Sequence, residues 1–544
     1  MNLYDGGVFA GPDTGGILTY VRNGGTLNIY GGIVDTNQGL RAGDGALLGG
    51  TVNIYGGAIS DGFGSLEYGR VNIFGTGFKL NGSLIAGLEN PGDVSSLNVP
   101  RNSLLTGTLS DGTPFLFDLF GADFFTDDTL TLHSVEVVPV GPSRIIASVD
   151  AVPNGIRYGQ TLTVDNGGAV RSNFTAGPGS STIVQGGAVG KNFEADSATV
   201  EIYNGMVGNH FDAYSGSVIH IAGGSLGPLW EVFQDSEMTI SGGSVGEMGR
   251  AHEGARVNVS GGVLGPYFIA MAASEVRVTG GTLDPGFTAM QGSTVDISGG
   301  AIGYGFTAKT GSSVDIRGGE FRVDGVPVPG LANIGDTVPF NLPNGALFTG
   351  VLEDGTPFSI TTQDVNHSSS GDAISDGTVK LHLTELPPVG PSLIVAPTDF
   401  IPLGIRGGQT LVVNNGAVVG DHFNAAEGST VRIEQGGALG EDIEVVSAHI
   451  EVSGGSLGRF LNLFAGSTLT MTDGFIGSGL HALHGSTMTF SGGTAESIRA
   501  QYDCTVNVSG DAILDELLVL SMVPLFMHRE ARLDADVSSR IIPI

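Results

Sequence analysis

The sequence predicts an all-β chain wound into a right-handed parallel β-helix, a solenoid of rungs about 19 residues long interrupted by small β-rich inserts. Two observations carry that prediction. The second glycine of a Gly-Gly pair falls at Gly168, Gly187, Gly224, Gly243, Gly262, Gly281, Gly300 and Gly319, and Asn204-Gly205 fills the missing beat. Ahead of each pair, apolar and polar residues alternate, as in Val257-Asn258-Val259-Ser260 and Val295-Asp296-Ile297-Ser298, the pattern of a half-buried strand. The period is no multiple of six, against a left-handed hexapeptide helix, and Asp does not follow the glycines at the offset of a calcium-binding nonapeptide repeat.

Within each rung the glycine pair is expected to turn the chain into a second short strand, because Gly reaches positive φ without penalty. An inward aliphatic follows at Val189, Val207, Leu226, Val245, Leu264, Leu283 and Ile302. Four residues later comes an aromatic, at Phe193, Phe211, Trp230, Phe268, Phe287 and Phe306, with Gly249 breaking the row. Rungs stacked about 4.8 Å apart turn these positions into an aromatic ladder and an aliphatic ladder inside the coil.

Residues 1–96 read as rungs with a period of 25 and then 19 residues, from Leu27-Asn28-Ile29-Tyr30-Gly31-Gly32 and Val52-Asn53-Ile54-Tyr55-Gly56-Gly57. Residues 97–158 form a β-rich insert and linker, 159–339 the regular 19-residue rungs, 340–407 a second insert, and 408–510 further rungs. The two inserts are copies: Leu97–Phe115 returns as Phe340–Phe358, and Val138–Ser143 as Pro387–Ser392. Asp111-Gly112 and Asp354-Gly355 lie between apolar alternations and predict hairpins. Residues 511–544 share nothing with the repeats and read as an atypical tail, either a helical cap or the product of a frame change. The chain opens inside a repeat, without a capping segment, signal peptide or recognisable anchor. It is therefore expected to be a piece of a longer open reading frame.

Glycine accounts for 91 of 544 residues, and 55 acidic against 23 basic residues give a formal charge of −32. Such a field repels nucleic acid and anionic membrane surfaces. The acids are scattered, which reads as a solvated face, with weak nonspecific binding of divalent cations as the alternative. One cysteine, Cys504, excludes a disulfide framework and a cysteine metal cluster. No run is long enough to span a bilayer as a helix.

No residue set points to catalysis, a cofactor or a metal. Asp296 and Asp315 share one outward rung position, but Asn258, Arg277, Thr239 and His220 occupy it elsewhere, so the position is merely polar. Asp127-Asp128 is replaced by Ser375-Asp376-Gly377-Thr378 in the second insert and reads as a turn. Glu434 and Glu441-Asp442 are the remaining candidate acids. His481 and His484 do not share a face on a β-helix turn. His210 and His422 sit beside ladder phenylalanines Phe211 and Phe423 and read as repeat residues.

Gly-Gly-Ser-Val-Gly at 242–246, its variants at 223–227 and 454–458, and the Phe-x-Ala endings at Phe193–Ala195, Phe211–Ala213 and Phe287–Ala289 carry a resemblance. In these the chain resembles large Gly-rich repeat proteins of planctomycete type. It is similar more broadly to the parallel β-helix passengers of autotransporter and filamentous-haemagglutinin-like adhesins. The resemblance covers about residues 1–510. It implies a non-enzymatic, secreted or cell-surface protein, adhesin-like or an envelope rod, with surface glycans or matrix proteins as partners. A carbohydrate-active β-helix enzyme, a polysaccharide lyase or hydrolase, is the alternative, and a remnant of a decayed gene a third.

Overall fold

The computed structural model describes residues 1–4, 7–9, 19–21, 24–35, 40–42, 49–59, 63–65, 68–119, 124–125, 129–362, 373–374, 378–501, 503–519, 525–527 and 532–533. Among them every regular element is a strand and none a helix. The chain is a parallel β-solenoid with 19-residue rungs, as the glycine period predicts. It divides into two compact units, Met1–Val257 and Asn258–Ile544.

The glycine pair does something different from the turn expected of it. In most rungs one nine-residue strand, such as Glu237–Val245 or Glu275–Leu283, runs straight through the pair. Register slips at the pair instead, between Val278 and Thr279 and again before Thr282 where that strand meets Thr294–Ile302. The pair is a β-bulge. At Gly242 there is no room for a side chain, because a Cβ would strike the carbonyl oxygen of Ala222 one rung below. Gly243 then takes φ +74, a conformation costly for other residues. The rung breaks into two strands, as expected, around Gly167-Gly168, Gly223-Gly224, Gly436-Gly437 and Gly492-Gly493.

In unit 1 the first coil stacks Thr26–Asp35, Thr51–Ile59 and Arg70–Leu80 in parallel, with Asn28 on Asn53 on Asn72. Ile29, Ile54 and Ile73 point inward and are fully buried. Outside runs a ladder of asparagine amides, each bond 2.7 Å from Asn2 to Asn72. Beside it Tyr4, Tyr30, Tyr55, Phe74 and His133 stack at 4.1–4.9 Å. The insert closes this coil. Leu104–Leu109 and Pro114–Asp118 form the antiparallel hairpin that Asp111-Gly112 predicts, laid against Arg70–Leu80. Leu130–Ser134 returns as a last parallel rung, covered in turn by Val94–Leu97. Edge strands that would otherwise be open templates are thereby paired.

The next coil starts at Arg144–Ile146 and continues through Thr161–Asp165, Ser181–Val189 and Thr199–Val207. Its ladder holds the expected Phe193, Phe211 and Trp230 and begins one rung earlier, at Phe174; all four are buried, with ring centroids 5.6 and 5.2 Å apart at the first two steps. At the predicted gap, Trp230 fills the space itself. A Cβ on Gly249 would collide with its indole, whose Nε1 donates to the Gly246 carbonyl at 2.9 Å.

Unit 2 repeats the plan. Thr294–Ile302, Ser313–Val323 and Val379–Leu383 stack in parallel, and the hairpin Leu347–Leu352 with Pro357–Thr361 folds back on Ser313–Val323. Within this unit Phe268, Phe287 and Phe306 follow one another with ring centroids 5.6 and 5.5 Å apart. A further coil begins at Leu393–Ala396, and its ladder passes from Phe423 to Ile443, Leu461, Leu480 and Ile498, all buried. The tail does not start as a helical cap: Ile513–Val519 is a strand in register with Thr494–Ala500, and Arg532–Leu533 pairs with it in turn.

Candidate functional site

Each hairpin also reaches sideways to the coil that follows it. In unit 1, Leu104 and Leu116 pack on Tyr214 and Phe233, and the Tyr214 hydroxyl donates to Asp118 at 3.1 Å. In unit 2, Leu347 packs on Phe464 and Leu483, with Val446 alongside. The hairpin tip is held the same way in both. Asp111 accepts from the Gly57 amide at 2.8 Å and Asp354 from the Gly300 amide at 2.8 Å. The carboxylates come so close that a Cβ on Gly56 or Gly299 would strike them. The Asp-Gly dipeptide was read as a turn signal alone; this second use of its carboxylate was not legible from the turn.

Under the second hairpin lies a cleft of about 920 Å³, within the range of small-ligand sites. One wall carries Glu320, Arg322 and Asp324 from the end of Ser313–Val323 and its turn; the other carries Arg406, Glu427 and Phe464 from the following coil. Arg322 meets Glu427 at 3.6 Å with both side chains well exposed. Arg406 is tied at 2.8 Å to the Pro387 carbonyl and at 3.0 Å to Glu320, while its buried Nε has no partner. Arg157 of unit 1 binds the Val138 and Pro139 carbonyls in the same manner. These arginines follow the repeated Gly-Ile of Gly155-Ile156 and Gly404-Ile405, a signal that comparing the two inserts contains.

A buried ionic cluster stands close by in the same unit. His422 lies between Asp442 at 2.7 Å and Asp284 at 3.3 Å. Burial alone would lower its pKa, but hydrogen bonds to Asp284 and Asp442 and their charges outweigh it and hold the imidazole up at about 9. It is therefore an imidazolium between two carboxylates, with both ring nitrogens occupied. His422 takes φ +59 and Asp442 φ +57, in turns just ahead of ladder residues Phe423 and Ile443. His210 has a similar φ of +56 but is exposed.

In unit 1, Glu194, Asp212 and Glu231 occupy one outward position on three consecutive rungs, in register. Glu231 is met by Arg250 at 2.9 Å and by His252 at 3.0 Å. Burial raises the Glu231 pKa, yet the bonds and charges of His252 and Arg250 bring it below its ordinary value. The row leaves little trace in the sequence, because its rungs are 18 and 19 residues apart and each acid has a different neighbour.

Asp296 and Asp315 do align on adjacent rungs, but neither stands alone: Arg317 binds Asp296 at 2.8 Å and His382 binds Asp315 at 2.5 Å. Asp127-Asp128 and Ser375-Asp376-Gly377 lie outside the described residues. Glu434 accepts from Asn414 at 3.1 Å, and Glu441 is exposed. His481 is buried against Asn462, whereas His484 is exposed beside Asp503. Cys504 is buried, its thiol pushed up to about 11 by burial, which makes it a poor nucleophile. Among the described residues no group of three or more His, Cys, Asp or Glu is placed to hold a metal ion, and no helix is long and apolar enough to cross a membrane.

The fold and these sites define a capped parallel β-solenoid whose terminal hairpins clasp the flank of the next coil. Compared with known proteins, the chain matches no family model and no curated relative.

Proposed function

We propose that the chain is a non-enzymatic, extracellular or cell-surface repeat protein, adhesin-like or part of an envelope rod, with surface glycans or matrix proteins as partners. The observation that supports it most is how outward side chains are used. Of the acid pair that the sequence places on adjacent rungs, Asp296 is bound by Arg317 and Asp315 by His382, both on their own sheet. Regular coils carrying projecting hairpins suit display better than turnover. Immunoblotting of fractionated source cells with antibody to residues 160–320 tests the location. Signal in envelope or medium is expected, and signal confined to the cytosol defeats the reading.

The row Glu194, Asp212 and Glu231 favours a second reading, a carbohydrate-active enzyme. Rungs about 4.8 Å apart bring neighbouring carboxylates near the separation of about 5–5.5 Å used by retaining glycosidases. Reducing-end release from polysaccharides, abolished by Glu231→Gln, would establish it.

A further inference from the structure

We propose that the cleft beneath the second hairpin is a binding site for neutral oligosaccharides, gripped at its mouth by Arg322 and Glu427. The proposal rests on the reading of the protein as a glycan-binding scaffold and deepens it to one site and one ligand class.

Three features converge. The first is a difference between copies of one interface. In unit 1 the hairpin is bridged to the neighbouring coil by Leu116 and by the bond from Tyr214 to Asp118. The repeat places Ser359, Phe464 and Thr361 at those positions in unit 2, where Ser359 turns to Asn424 at 2.8 Å and no hydroxyl spans from Phe464. The second hairpin is therefore held by Leu347 and by the Ser359–Asn424 bond, without a counterpart of the Tyr214–Asp118 tie, and the cleft lies beneath it.

The second feature is the polar pair at the mouth. At 3.6 Å, Arg322 and Glu427 are longer than a strong charged hydrogen bond, and their side chains are 42% and 65% exposed. A sugar hydroxyl both donates and accepts, so one inserted between them accepts from the guanidinium and donates to the carboxylate. The exposed Val389 and Ala465 at the same mouth offer apolar surface to the C–H face of a ring.

The third feature is charge. Glu320, Asp324 and Glu427 line the cleft against Arg322 and Arg406, and Arg406 has its terminal nitrogens committed to Glu320 and Pro387. An anionic sugar or phosphate meets carboxylates with one guanidinium to receive it, and a cation meets Arg322. A neutral polyol satisfies both kinds of group without leaving a charge unpaired.

The test uses the full chain on an array of neutral glucan, mannan, xylan, galactan and chitin fragments, with oligogalacturonate as the anionic control. Binding to at least one neutral series is expected, weakened about ten-fold or more by Arg322→Ala and by Glu427→Ala, and lost in Ala465→Trp, which plugs the mouth without touching a charge. Lys79→Ala, at the place in unit 1 equivalent to Arg322, is expected to bind as the parent does. Far-UV circular dichroism verifies that each variant is folded, with Trp230 emission as a second check in all but Ala465→Trp. Neutral-glycan binding that survives all three cleft substitutions overturns the site while leaving the scaffold reading intact. Binding to oligogalacturonate alone overturns the ligand class. Binding to nothing on the array overturns the proposal, and the scaffold reading then stands or falls by the fractionation.

Discussion

At the start of the coil that each hairpin clasps, unit 1 has Asn173 and Asn192 on consecutive turns, the Asn192 amide donating a hydrogen bond to Asn173 Oδ1 at 2.8 Å. Unit 2 has His422 and Asp442 at the same two turns, joined at 2.7 Å, with Asp284 closing on the other ring nitrogen. The backbone is left-handed at all four positions, so the turn is constant and the chemistry on it is exchangeable. A neutral amide pair carries no charge to balance, although Asn173 Nδ2 is buried without a partner. A buried imidazolium does carry one, and the second carboxylate comes from a different rung stack, making the turn a lateral tie as well as a local one. One repeated backbone thus supports either a self-contained turn or a cross-coil ionic clasp, according to two side chains.

The largest effect expected from breaking this contrast comes from Asp442→Ala. Removing one partner of a buried pair costs about 3–5 kcal/mol, read as a drop in urea stability. The double variant His422→Asn with Asp442→Asn copies unit 1 and is expected to recover most of that loss. A double variant as unstable as Asp442→Ala would show that the two turns are not interchangeable.

A related contrast concerns the ladder. Unit 1 places Trp230 beneath Gly249, where unit 2 has Leu480 beneath Ile498, and in both the next two residues pair in register. Trp230→Leu leaves a cavity and is expected to cost roughly 3 kcal/mol; adding Gly249→Ile refills it. Circular dichroism on urea titration follows both, since the tryptophan emission is lost. Failure of the second substitution to restore stability would mean that the indole's bond to Gly246 matters more than its volume.

Stability against pH separates the clasps without mutation. His422 has its folded pKa raised from 6.5 to about 9. Its contribution is therefore fully present below about pH 6.5 and is lost as pH rises through about 9. The shift corresponds to roughly 3 kcal/mol at most. Urea midpoints measured from pH 6 to 10 should fall for the parent and stay flatter for His422→Asn. The smallest effect is expected from Tyr214→Phe, which makes the first clasp resemble the second and removes one bond to Asp118, about 1 kcal/mol.

Much of the fold was legible because it is periodic. Inward Val276, Val295 and Val314 recur where the coil needs them, and the glycine pair marks each bulge, although it was taken for a turn because periodicity cannot distinguish a bulged strand from two strands. The inserts were recognisable as hairpins from Asp-Gly. That they cap one coil and clasp the next was not, since those contacts join residues as distant as Asp118 and Tyr214. Of the cleft's lining, the sequence draws notice to His484 but gives it no role. Arg322, Glu427 and Arg406 belong to different rungs and carry no shared spacing.

By itself, then, the sequence determined the architecture: β-branched alternation and a 19-residue glycine period impose rungs, and stacked rungs impose ladders, because each face can be buried only against its own copies. Tertiary structure alone decided the chemistry. Whether an outward carboxylate is paired, as Asp315 is by His382, or a turn histidine is charged, as His422 is by Asp284, depends on which strands of separate rungs meet. Electrostatic and hydrogen-bond energies act over a few ångströms of space, whatever the distance along the chain.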